Sequence, residues 1–131
     1  MDHETAGVRL KCVGRLGLLV ATLLLIVAID VPWDLQDHTH WAKVGWLPFW
    51  SPPVRFLDIV ANVLLGVPVG IAAVVNRLRP RTAAGLALLA SLTGETLQLY
   101  SHTRFPSATD VVCNVGGALL ATRFAARRPP S

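Results

Sequence analysis

The chain has 131 residues, which is room for one domain. It is 53% apolar and only 15% charged, against about 25% charged in an ordinary soluble domain, which argues against a water-soluble enzyme. The formal net charge is +4, and the basic residues form no single patch, so nucleic-acid recognition is not indicated. The two cysteines, Cys12 and Cys113, fall at opposite ends of the expected membrane thickness. A disulfide needs Cα atoms within about 7 Å, so they are not expected to pair within one chain.

Four segments approach the requirement of about 20 mostly apolar residues for a membrane span, at about 16–31, 54–75, 82–100 and 108–126. The first is the shortest and follows Arg9, Lys11 and Arg15, as the apolar core of a signal peptide does. Ala28-Ile29-Asp30 is a poor cleavage site, so this segment is read as an uncleaved helix. The alternation of an eight-stranded barrel is absent, and a lipid-facing backbone must satisfy its own hydrogen bonds, so the spans are expected to be helices. The expected fold is all-α: a polytopic membrane protein of four transmembrane helices in one domain, residues 1–131.

Charge then orients the spans. Arg9, Lys11 and Arg15, then Arg77, Arg79 and Arg81, then Arg123, Arg127 and Arg128 share one side, against Lys43, Arg55 and Arg104 on the other. The positive-inside rule makes the first side cytoplasmic, with both termini inside a bacterial inner membrane. Trp33, Trp41, Trp46 and Trp50 lie in or just before the first outer loop, and Tyr100 closes the third span on that side. Such residues prefer the headgroup level, so the stretch 41–50 is expected to lie on the outer interface as a short amphipathic segment or a lid.

The second and fourth spans open alike, with Asp58-Ile-Val-Ala-Asn62-Val63 and Asp110-Val-Val-Cys-Asn114-Val115. The match suggests two hairpins in parallel repeat, an arrangement in which sites form at the repeat interface. Polar residues in spans are costly, and each carboxylate here has an amide partner on its own helix face. Asp58 pairs with Asn62, Glu95 with Gln98, and Asp110 with Asn114, all within about two turns of an outer helix end. The loop 101–107 above them supplies Arg104 and His102. Asp58 and Asp110 also suit the helix macrodipole, and Ser107 to Asp110 has capping-box spacing. Asn62 and Asn114 equally suit interhelical hydrogen bonding, and Gly66, Gly116 and Gly117 close packing. Glu95 is too deep to cap its own helix, and its cheapest partner is Arg104.

Other constellations are weak. Asp34, Asp37, His38 and His40 cluster in the outer loop, but His-x-His is a common loop accident and no metal site is expected. No nucleophile–base set and no Gly-rich phosphate loop is present, so no cofactor is expected.

The second half reads Glu95-x2-Gln98-x5-Arg104-x5-Asp110-x3-Asn114-x2-Gly117, and the first half adds Asp58-x3-Asn62 and Pro68-x-Gly70. This pattern, over about 56–121, resembles the VanZ-like family of small bacterial membrane proteins. Gly66, Thr103 and Ala121 depart from the usual residues at their positions, and none belongs to the polar set. The family's namesake is associated with low-level resistance to the lipoglycopeptide teicoplanin. The resemblance implies a setting at the outer face of a bacterial cytoplasmic membrane and supplies no reaction.

Three functions fit these residues. The leading one is recognition of the polar head of a cell-envelope lipid or lipoglycopeptide by Asp58, Asn62, Glu95, Gln98, Arg104, Asp110 and Asn114. The second is an intramembrane enzyme using crowded carboxylates for acid–base chemistry on a lipid headgroup. The third is a non-catalytic partner subunit of a membrane complex, in which the polar set only joins helices.

Overall fold

The computed structural model describes residues 3–29, 34–50 and 55–126, with side chains for 13–28, 34–50 and 55–125. Trp33, Arg127, Arg128, the expected end of the first span at 31 and the expected start of the second at 54 lie outside the described residues, as do the side chains of Arg9, Lys11 and Cys12.

Four helices follow one another: α1 (His3–Ile29), α2 (Phe56–Val75), α3 (Pro80–Gln98) and α4 (Ala108–Ala126). Among the described residues there is no strand beyond two isolated β-bridges. The bounds of α4 are those expected. Helix α1 begins thirteen residues before the expected span, because polar residues continue a helix that hydropathy alone truncates. Helix α3 runs from Pro80, whose fixed φ suits a first helical position, and ends at Gln98, two residues earlier than expected. Leu99 and Tyr100 instead give their carbonyls to the 34–50 segment. Helix α2 passes through Pro68 unbroken. It closes in a Schellman turn, with Arg77 N–H to Val74 C=O at 2.8 Å and Leu78 N–H to Ala73 C=O at 2.9 Å. That turn holds Arg77 at φ 55°, a left-handed conformation usually given to glycine.

Helices α2 and α4 form the most extensive pairing. They run in parallel: Gly66 lies against the Asn114 carbonyl and Gly70 against that of Ala118, while Gly117 lies against the Val63 carbonyl. A Cβ at any of the three would enter backbone of the other helix. Gly66-x3-Gly70 is thus a small-residue seam that brings the two Asp-x3-Asn segments side by side.

The interior is built from small and polar residues. Ala87, Ala90 and Ala118 pack around Leu25 and Val69, and Asn62, Ser91, Glu95, Gln98, Asn114 and Thr122 are buried beside them. Large apolar side chains point outward, among them Leu16, Leu19, Leu64, Leu89 and Phe124. Helix α2 is long and apolar enough to cross a membrane by length and composition, and Val13–Ala28 is a shorter apolar stretch.

Candidate functional site

The polar residues gather at the end of the bundle where the 34–50 segment meets the 99–107 loop. That segment is not a continuous amphipathic helix. A single 3-10 turn (Trp41–Lys43) interrupts an irregular strap. Backbone bonds stitch the strap down: Gln36 N–H to Tyr100 C=O at 2.6 Å, His40 N–H to Leu99 C=O at 2.8 Å, and His102 N–H to Asp34 C=O at 3.1 Å. Further along, Gly45 N–H bonds the Pro106 carbonyl at 2.8 Å and Ala108 N–H bonds the Gly45 carbonyl at 2.9 Å. Phe49, at φ 62°, gives its N–H to the buried Thr109 hydroxyl oxygen at 2.9 Å.

The first cluster lies between α2 and α4. Asn62, buried, donates from Nδ2 to the Asp58 carbonyl at 2.9 Å, and its side chain also bonds the Asp110 carboxylate. Arg104 and Asp58 are close enough for their charges to act on Asp110. Asp58 is exposed, whereas Arg104 and Asp110 are half-buried. One guanidinium, two carboxylates and one amide therefore lie within charge or hydrogen-bond range of one another at this end.

Glu95 occupies the other side of the first turn of α4. Its Oε2 accepts the Ser107 N–H at 2.6 Å. In a capping box the carboxylate three residues into the helix takes the N-cap N–H. Here Ser107 precedes α4, and the carboxylate comes from α3, twelve residues earlier. The expected local role of Asp110 is thus filled by Glu95, and Asp110 is released to Asn62. Gln98 is buried at the end of α3. Asn114, one turn below Asp110, is fully buried, and neither atom of its amide meets a hydrogen-bonding partner among the described residues. The structure thus brings Asp58, Asn62 and Asp110 together, with Arg104 within charge range of Asp110, and places Glu95, Gln98 and Asn114 in the interior.

Sequence reasoning missed an apolar groove of about 340 Å³ between the strap and the outer face of α3 and α4. Trp41, Trp46, Leu92, Leu99, Val111 and Val112 form its walls, and Glu95 reaches its floor. The Trp41 and Trp46 rings stack at 6.4 Å between centroids, only 9° from parallel. Neighbouring aromatic residues in the loop were visible in the sequence; their joint wall depends on the strap's backbone pairing.

The strap also groups three imidazoles, with His38–His40 centroids at 4.8 Å and His40–His102 at 6.0 Å. No group of three or more His, Cys, Asp or Glu among the described residues is arranged to hold a metal ion. Asp37 bonds His38 Nδ1 at 3.2 Å, and this contact holds its carboxyl below the ordinary carboxylate range. Cys113 is a free, buried thiol.

A family model described as VanZ/LLP1 matches residues 16–126, extending from α1 through α4 and beyond the motifs themselves. No curated protein and no solved structure matches the chain.

Proposed function

The chain belongs to the VanZ/LLP1 family, and from that premise we propose that it is a four-span bacterial membrane protein recognising the polar head of an amphiphile at the outer face. The inside-out distribution of polarity supports the membrane setting. A water-soluble bundle buries its large apolar side chains; this one exposes Leu16, Leu64 and Leu89 while burying Asn62, Glu95, Gln98 and Asn114. The hydroxyls of Thr22, Thr93 and Thr96 donate to carbonyls four residues back on their own helices. Bonding of this kind keeps a hydroxyl satisfied where water is absent. Helix α2 has 20 residues and α3 and α4 have 19 each. At about 1.5 Å per residue each spans about 30 Å, the thickness of the hydrocarbon core. The charge asymmetry supports a topology with both termini in the cytoplasm and the strap outside.

The observation that carries the functional reading is that Asn62 joins Asp58 to Asp110 at the end of the bundle where the strap meets the 99–107 loop, with Arg104 near enough for its charge to act on Asp110. In this reading Arg104 holds an anionic or carbonyl group of the head, and a guanidinium offers a planar fork for it. Asp58 and Asp110 accept from hydroxyl or amine groups. Asn62 and Glu95 act as positioning residues: Asn62 joins Asp58 to Asp110, and Glu95 fixes the start of α4. The ligand class is a cell-envelope lipid or lipoglycopeptide, and no reaction is assigned. Native mass spectrometry of the protein from its own membranes, wild type beside Arg104→Ala, tests this. A discrete amphiphile bound to wild type and lost from the folded variant is the expected result. The same adduct at the same occupancy in both proteins would refute it.

A further inference from the structure

We infer that, whatever the outer site binds, Ser91 of α3 and Asn114 of α4 hold a water molecule between them, deep in the bundle and inward of Asp110. Both side chains are closed off from solvent, at 0% exposure. The Ser91 hydroxyl and both atoms of the Asn114 amide meet no hydrogen-bonding partner among the described residues. Leaving one such group unmet disfavours folding about five- to a hundredfold, so two of them at one level call for a shared partner. The register of α3 and α4 puts them at one level. The Glu95–Ser107 bond joins the outer ends of the two helices, and Ala87 and Ala90 pack with Ala118 further in. Ser91 lies one turn from Ala87 on its helix, and Asn114 lies one turn from Ala118 on the other. Each therefore stands about 6 Å outward of the same alanine cluster, on the side of Glu95 and Asp110. Gly66 of α2 lies against the Asn114 carbonyl and brings no side chain to this level.

The chemistry of the two side chains selects the occupant. A primary amide carries N–H donors and a carbonyl acceptor, and a hydroxyl donates one hydrogen bond and accepts others. A metal cation meets only the oxygens and leaves the amide N–H groups bare. An anion meets only the N–H and O–H groups and leaves the amide oxygen bare. A direct bond between Ser91 and Asn114 engages one atom of the amide and leaves the other unmet. Water both donates and accepts. It can take the Asn114 Nδ2–H and the Ser91 O–H and give a hydrogen to Asn114 Oδ1, which makes the about three bonds typical of a buried water. So held, it pins α3 to α4 beneath Asp110.

The test uses the full chain in detergent micelles with isotope-labelled asparagine, and NMR transfer of magnetisation from water to the Asn114 Nδ2–H protons. A held water gives cross-peaks of opposite sign in the laboratory and rotating frames, whereas simple proton exchange gives the same sign in both. Wild type should show the held-water pattern. Ser91→Val removes the hydroxyl and sets a methyl group in the water's place, so the folded variant should lose it. In unfolding measurements Ser91→Ala and Asn114→Leu should each lower the folding equilibrium constant about tenfold. The double variant leaves neither group unmet and should lose less than the product of the two. No held-water pattern in wild type would overturn the inference, as would its persistence in Ser91→Val. Losses that simply multiply would show that the two residues share no partner. Coupling between them without the held-water pattern would show a direct bond and overturn the water. Stability of wild type that rises when sodium replaces a bulky organic cation at constant ionic strength would show a cation site and do the same.

Discussion

Replacing Gly117 by alanine places a methyl group inside the contact between α4 and α2, where it would meet the Val63 carbonyl and lie 2.8 Å from the Val63 carbonyl carbon. Gly66→Ala does the same from the other helix, against the Asn114 carbonyl, with that carbonyl carbon at 2.9 Å. These obstacles are backbone and cannot change rotamer, so the helices must separate. A separation on the order of 1 Å forfeits a quarter to a half of each dispersion contact along the seam. Overpacking of this kind costs typically 1–3 kcal/mol, and the immovable obstacle puts each variant near ~3 kcal/mol. Once one methyl has parted the helices the second meets less resistance, so the double variant should cost less than the sum. Gly116 is the internal control: its Cβ position is open, and Gly116→Ala should gain up to ~1 kcal/mol from helix propensity. Reversible unfolding in mixed micelles, followed by helix circular dichroism, reads all four. If Gly117→Ala proved as stable as Gly116→Ala, the parallel α2–α4 seam described here would be wrong.

Three further outcomes follow from local geometry. Glu95→Ala leaves the Ser107 N–H without its acceptor and should cost about 1–3 kcal/mol, whereas Glu95→Gln keeps a neutral bond and should cost less. Equal losses in the two, measured with amide exchange at Ser107, would remove Glu95 as the cap of α4. Arg77 sits at φ 55° in the Schellman turn, so Arg77→Gly should stabilise α2 by about 0.5–1 kcal/mol in the same unfolding assay; a loss of stability would contradict the turn. Asp37 is held below the ordinary carboxylate range by its bond to His38. A depressed carboxyl pKa means that the contact is present above the unfolded value and is lost as pH falls through the folded one. In His38→Ala, carbon-detected NMR titration should find the Asp37 midpoint moved upward, and an unmoved midpoint would show that the contact does not form.

Residues that carry their own local signal were legible from the sequence. Helix α4 coincides with the apolar run expected at about 108–126, and the repeat pointed to α2 and α4 as related elements. The Asn62–Asp110 contact lies behind that repeat, since two like segments packed in parallel bring like positions together. What stayed hidden was tertiary. Glu95 caps a helix twelve residues away, and a capping pattern inspects only one helix. The strap pairs with the 99–107 loop through backbone atoms, which every residue possesses, so no residue type announced it. The groove exists only once that pairing has formed. Helix α1 starts well before the expected span because hydropathy measures what suits a membrane, and helix formation asks less.

The account depends on the Arg104 end of the bundle facing outward. Its most direct test is cysteine accessibility in intact cells, in a background with Cys12 and Cys113 replaced, using a membrane-impermeant maleimide on Thr103→Cys and Arg79→Cys. The account predicts labelling at position 103 before permeabilisation and at position 79 only after it. Labelling of 79 and protection of 103 in intact cells would contradict it.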